Sequence, residues 1–352
     1  IEDDHFYWEN QIHNRLNFHF YPLSWLTASL QLRNRFIQGN TVVKFPGYSR
    51  MVTGDAGLLD LSFEKDGTYG DQSGYIFHTM IDRAWVEFTA GDFVATIGRQ
   101  RINWGQTFAW NPNDIFNSYS YFEVDYPERR GSDAIRLQYY TGMASNIEIA
   151  AKIDSAHRVT AAGYFRFNTL GYDFQILGGL LNEEDMLLGT GWSGSVSNVA
   201  FRGEMTYFRD LDNFRDTTGN LLITVGADYM FENSFWIRGE ILYSSFPTED
   251  NPSGFLQWLS TPADVKGLGL TEWSAFMSIS YPFTPRLNGS LAGMYFRNWQ
   301  GYYAGPSMDV NIAANLDLSF MAQLFSIRME DYSGQEKRHR TGIGYLRLKW
   351  SF

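Results

Sequence analysis

The last nine residues, Gly344-Tyr345-Leu346-Arg347-Leu348-Lys349-Trp350-Ser351-Phe352, alternate in character. Leu346, Leu348, Trp350 and Phe352 fall on one face of an extended chain, and Arg347 and Lys349 on the other. Successive side chains of a strand point to opposite sides, so this stretch is a strand with one apolar and one charged face. The same period recurs upstream. Ile12, Leu16, Phe18 and Phe20 alternate with His13, Arg15, Asn17 and His19. Leu26, Ala28, Leu30 and Leu32 alternate with Thr27, Ser29, Gln31 and Arg33, and Phe235, Ile237 and Ile241 with Arg238 and Glu240.

Composition narrows the class. Aromatic residues make up 17% of the 352, yet mean hydropathy is only -0.29. A barrel with one lipid face and one wet face averages out this way. No run approaches the roughly 18 consecutive apolar residues that a spanning helix requires. The net charge of -11 speaks against a nucleic-acid partner. With no cysteine, disulfides and thiolate metal sites are excluded. The six histidines, His5, His13, His19, His78, His157 and His339, show no metal-ligand spacing. No nucleophile elbow, P-loop or dinucleotide fingerprint occurs, so the expectation is no enzyme, no metal and no cofactor.

Connections sort by length. Short ones, such as Tyr21-Pro22-Leu23-Ser24, Thr89-Ala90-Gly91-Asp92 and Thr141-Gly142-Met143-Ala144, alternate with long ones near 39–75, 105–132 and 246–270. Short turns on one rim and long loops on the other mark a membrane barrel. Aromatic pairs beside the short turns, Tyr21 with Trp25 and Tyr281 with Phe283, suit an interfacial girdle. The predicted fold is all-β, a single transmembrane antiparallel up-and-down β-barrel over residues 1–352, with 16 or 18 strands. Direct counting gives about 17, which leaves the first strand running outside-to-inside. Either a strand precedes Ile1 or one has been missed, and Leu58 to Phe63 within 39–75 is the place to expect it. A leader peptide would already have been removed.

The terminal strand, with Leu348, Trp350 and Phe352 as its signal, resembles the C-terminal signature of Gram-negative outer-membrane barrel proteins. That resemblance implies recognition by the barrel-assembly machinery through strand pairing, an outer-membrane location, and contact with outer-membrane lipid and lipopolysaccharide. A second segment, Ile97-Gly98-Arg99-Gln100-Arg101-Ile102-Asn103-Trp104-Gly105 followed by Asn111-Pro112-Asn113-Asp114, is similar to one recurring in porin-like and alginate-export-type large barrels. Gly98 and Gly105 there would permit a bulge or a close backbone approach.

The expected function is passive diffusion of small hydrophilic, possibly anionic, solutes. The pore-lining candidates are Arg15, Arg33, Arg35, Arg83 and Arg136, because a basic sector in a narrow lumen favours anions. Arg99 and Arg101 could join them only through a bulge at Gly98. Later strands carry mixed signs, Arg202 with Glu204 and Arg238 with Glu240, which internal salt bridges would also explain. The aromatic loop 106–132 either folds into the lumen or caps the mouth from outside. Folded inward, its Asp114, Glu123, Asp125 and Glu128 could face the basic wall, beside its own Arg129 and Arg130. The rival reading is a closed barrel serving as scaffold or accessory subunit for a membrane-protein partner, or as part of an oligomer.

Overall fold

Alternation this regular leaves every strand with a face for lipid and a face for the interior, and the chain resolves it by pairing each strand antiparallel with its neighbours. The structure is a computed structural model, described for all residues except 1–5, 46, 71–72, 124–128, 216–217, 248–263, 331–335 and 352. The 18 strands among the described residues begin with β1 (Glu9–Leu23), β2 (Leu26–Gly39), β3 (Ser62–Tyr69), β4 (Ser73–Ala90), β5 (Phe93–Gln100) and β6 (Ser132–Gly142). They continue with β7 (Ser145–Ile153), β8 (Val159–Thr169), β9 (Tyr172–Leu181), β10 (Asp185–Val196), β11 (Val199–Asp210) and β12 (Asn220–Met230). The last six are β13 (Trp236–Ser244), β14 (Trp273–Thr284), β15 (Leu287–Phe296), β16 (Gly301–Ala313), β17 (Leu316–Glu330) and β18 (Glu336–Trp350). Two short helices, α1 (Thr41–Lys44) and α2 (Tyr48–Thr53), separate β2 from β3.

Short turns at 24–25, 91–92, 143–144, 170–171, 197–198, 285–286 and 314–315 gather on one rim. The long connections 101–131, 211–219 and 245–272 lie on the other. Burial confirms which face meets lipid. On β17, Phe320 and Leu324 are half exposed while Gln323, Phe325 and Ile327 are buried. On β18, Leu346, Leu348 and Trp350 all point outward and are strongly exposed. Phe352 lies outside the described residues.

The strand that counting missed is β3, a few residues later than Leu58 to Phe63. It does not add a wall position of its own. β4 pairs with β2 along its whole length, but its other edge is shared: β3 takes 73–80 and β5 takes 84–90. β1 and β18 end the ladder, and both run toward the short-turn rim; no ladder joins them among the described residues.

Two backbone irregularities shape the interior. In β4, Gln31 of β2 faces Arg83 and Leu32 faces Ile81, so Asp82 is the extra residue of a β-bulge. Asp82 and Arg83 are both buried as a result. In β5, Gly98 has φ 116° and lies so close to β4 that a Cβ would collide with the Ala84 carbonyl oxygen. Only glycine tolerates both conditions. Gly98→Ala is therefore expected to cost about 1–3 kcal/mol, read as a lower urea midpoint for unfolding in micelles, with Gly91→Ala at an open turn as the comparison.

Candidate functional site: the lumen loop and the basic wall

After Gln100 the chain leaves the wall and turns inward. A backbone entering a barrel carries N–H and C=O groups that must find partners away from bulk water. Glu204 of β11, fully buried, supplies one set of acceptors. Its carboxylate takes the backbone N–H of Gln106, of Thr107 at 2.8 Å and of Asn113 at 2.8 Å, together with the Thr107 hydroxyl at 3.0 Å. Glu240 of β13 takes the N–H groups of Phe108, Ala109 and Trp110 at 2.8, 3.1 and 2.9 Å. Hydrogen bonds to a carboxylate are among the strong ones, worth roughly 1.5–3 kcal/mol each. Loop 101–123 is thus seated inside the barrel and does not cap it from outside.

Side chains extend the seat around the wall. Asn113 donates to the Thr190 carbonyl at 3.0 Å and accepts from the Thr206 hydroxyl at 2.6 Å. Gly189 and Gly191 make room for it, because a Cβ at Gly189 would stand 2.7 Å from the Asn113 amide oxygen. Trp104 donates its indole N–H to Glu148 at 2.5 Å and stacks on Tyr164 with ring centroids 5.0 Å apart. Lys152 donates to the Phe116 carbonyl at 2.7 Å, and Gln323 to the Phe122 carbonyl at 3.0 Å. Tyr121 packs edge-on against Phe276, and Phe122 against Tyr303 and Phe325. The loop therefore touches the wall from β7 around to β17.

This arrangement corrects several expectations. Arg202 does not pair with Glu204, nor Arg238 with Glu240, because both carboxylates are occupied by loop N–H groups. Arg202 instead pairs with Asp228, and Arg238 lies over the rings of Phe108 and Trp236. Arg136 leaves the basic sector: Glu148 clamps it in a two-pronged ion pair at 2.7 and 2.8 Å. Arg99 is buried near the end of β5, paired with Asp55 at 2.6 Å and Asp133 at 2.8 Å, so its guanidinium is held within the wall. Asp114 does not face the wall of β1 and β2. It is sealed beneath the loop, with neither carboxylate oxygen hydrogen-bonded among the described residues. Burial pushes its pKa up to about 7 against the pull of Arg101. Asp125 and Glu128 lie outside the described residues.

The remaining arginines come together on β1, β2 and β4. Arg15 of β1 stands directly across from Arg33 of β2, and Arg35 of β2 across from both His13 and His78. Arg33 donates to His13 at 3.2 Å and Arg35 approaches His78 at 3.0 Å. Arg83 donates to the carbonyls of Asp82 and Arg129. Arg15 forms an ion pair with Asp82 at 2.5 Å. Arg130 reaches the Gly54 carbonyl at 3.2 Å, and Arg129 covers the Tyr119 ring. Glu123, half-buried, folds its N–H back on Ser120. Gln175 completes the set of anchors, donating its amide to the Trp104 carbonyl at 3.1 Å; no local pattern marks it, Glu148, Glu204 or Glu240 for this role, whereas the Gly189-Thr190-Gly191 gap opposite Asn113 is a local hint.

No family model and no curated protein matches the sequence. Solved structures match over nearly its whole length. Pseudomonas aeruginosa OccK11 (OpdR) aligns with a TM-score of 0.54 at 8% identity, over 97% of this chain and 94% of that one. Pseudomonas aeruginosa OpdK with vanillate aligns at 0.51 and 11% identity, over 97% and 96%. The outer membrane protein OprD of Pseudomonas aeruginosa aligns at 0.51 and 9% identity, over 97% and 93%. At these identities the likeness is one of fold, that of outer-membrane porin barrels.

Two outcomes follow for the loop. Glu240→Ala strands three backbone N–H groups at a local cost of about 3 kcal/mol or more, so limited proteolysis should cut the loop faster than in the parent. Asp114 titrates with a raised pKa, so the seated loop holds its proton better than an exposed loop would. Its contribution is complete in acid, erodes as pH rises from about 4 to about 7, and stays lost above that. Proteolysis of the loop should therefore be slower at pH 5 than at pH 8, and Asp114→Asn should flatten that difference.

Proposed function

We propose that this chain is an outer-membrane channel through which small hydrophilic solutes diffuse passively, anions ahead of cations. One observation carries the reading: guanidinium groups gather on adjoining strands of the wall, away from the carboxylates that hold the loop. On the side of β7 to β13, the wall carboxylates Glu148, Glu204 and Glu240 are consumed by the loop and by Arg136. On the side of β1, β2 and β4, Arg15, Arg33, Arg35 and Arg83 are set on adjoining strands, Arg15 in an ion pair with Asp82. Guanidinium groups so placed favour a permeating anion over a cation, in a field that the low-dielectric wall focuses.

Fold likeness supports the class, and OpdK, similar in fold, is a structure with vanillate, a small aromatic carboxylate. Solutes of that charge are the proposed cargo. Residues 1–352 act as one barrel domain in this reading. Leu348, Trp350 and Phe352 are its proposed signal to the barrel-assembly machinery. No residue cluster here is assigned a catalytic role.

The test is conductance of the purified protein in a planar bilayer, with selectivity from the reversal potential. Stable open steps with anion preference are expected. Arg15→Gln, which strips Asp82 of its partner, should lower that preference by a factor of about two, the effect of one charge at ~10 Å in water. Cation preference in the parent would refute the basic-wall mechanism. Silence from folded, heat-modifiable protein would refute the channel and favour a scaffold role.

A further inference from the structure

Four arginines gather on the membrane side of the barrel, where the lumen reading has no use for them. Arg338 and Arg340 of β18 share their face with Gly342, Leu346, Leu348 and Trp350. Arg328 of β17 shares its face with Phe320 and Leu324, and Arg297 follows the outward Tyr295. All four are exposed. Arg328 stands directly opposite Arg338 in the ladder, a like-charge pairing that destabilises a sheet unless an anion bridges it. Among the described residues none of the four forms an ion pair; Arg338 donates to the Ser326 hydroxyl at 3.0 Å and to the Gln300 carbonyl. The ladder continues above this pair to Glu330 and Glu336. The concentration is notable in a chain of net charge -11, whose rim elsewhere exposes Glu64, Asp66, Glu183 and Glu184.

A second feature lies just below. Tyr295, Tyr302, Ser326 and Arg340 form one row across β15 to β18, and Gly293, Ala304, Leu324 and Gly342 form the next row toward the short-turn rim. The small residues of that lower row leave a furrow of about 460 Å³, lined by Tyr302, Ala304, Leu324, Ser326, Arg340 and Gly342. It opens on the lipid face and ends at a guanidinium. The long-loop side sets the level: these arginines sit where the outer leaflet's headgroups meet the barrel, next to a Tyr295–Tyr302 ring pair 5.2 Å apart.

We propose that this surface is a binding site for a phosphorylated, acylated lipid of the outer leaflet, of the lipid A type. Its phosphate bridges Arg328, Arg338 and Arg340, and one acyl chain occupies the furrow over Gly342. Bound phosphate removes the like-charge penalty, and guanidinium geometry suits paired phosphate oxygens.

Native mass spectrometry of the purified barrel in micelles, titrated with bisphosphorylated lipid A, tests this. Relative to the parent, R328Q/R338Q/R340Q is expected to bind about tenfold or more weakly, on the scale of surface arginines facing anionic lipid. Fully dephosphorylated lipid A should bind the parent equally weakly. Gly342→Leu should weaken lipid A by filling the furrow, with the arginines intact. A folded triple variant binding as tightly as the parent would overturn the site. So would equal affinity of the parent for dephosphorylated lipid A, or full competition by millimolar inorganic phosphate, which would mark a free-anion site. Should the triple variant fail to fold, Arg340→Gln alone, exposed and in no ion pair among the described residues, carries the test with an expected loss of about fivefold.

Discussion

Everything inside this barrel depends on two carboxylates of the wall meeting a turn of free backbone. Glu204 and Glu240 stand two strands apart and between them take six loop N–H groups, from Gln106, Thr107, Asn113, Phe108, Ala109 and Trp110. A loop without regular structure cannot satisfy its own polar groups, and inside a barrel it has little water to help. An acceptor with two oxygens and a full charge is the cheapest single residue that can serve three donors at once. Once these donors are fixed, the aromatic side chains of the loop have defined places to pack. Trp104 against Tyr164 and Tyr121 against Phe276 are consequences of that anchoring.

The same anchoring commits the carboxylates of the wall from β7 to β13. Glu148 illustrates the limit: it holds Arg136, Gln138 and the Trp104 indole together. Away from the loop, the arginines of β1 and β2 meet the β4 bulge. By inserting Asp82, the bulge brings Arg83 to the interior together with a carboxylate that partly neutralises Arg15. A regular β4 would send one of the two to the lipid face, at a depth where a charge is costly.

Period-two alternation made the barrel readable, because each strand's lipid face is a local property of the sequence. The inward loop was half legible: its density of rings required burial, but inside and outside were equivalent from sequence. What decides between them is pairing across 91 to 132 residues, Glu204 with Asn113 and Glu240 with Phe108. Arg15, Arg33, Arg35 and Arg83 come together because β1, β2 and β4 are neighbours, while Arg136 sits apart from them, paired with Glu148 on the adjacent strand. Arg202 and Glu204 looked like partners because they are two apart on one strand; their real partners, Asp228 and the loop, are invisible at that range.

The least legible element, β3, is required by the most consequential one. Because the chain turns into the lumen after Gln100, β5 stops at half the height of β4 and leaves residues 73–80 of β4 with a bare edge. Unpaired strand edges are sites of misassociation, and buried ones lose hydrogen bonds outright. β3 covers that edge, returning from α2, whose end is tied inside by the Arg35 contact to the Val52 carbonyl. Arg99, the penultimate residue of β5, then locks the junction: it donates to Asp55, Asp133 and the carbonyls of Leu59 and Ile81. Gly98 is what lets the chain turn there without striking Ala84. A barrel of equal strands has no need of β3, and a barrel that sends its loop inward at this height cannot do without it. The weakly patterned stretch 62–69 is thus explained by a loop 40 residues further on, through the edge that loop exposes.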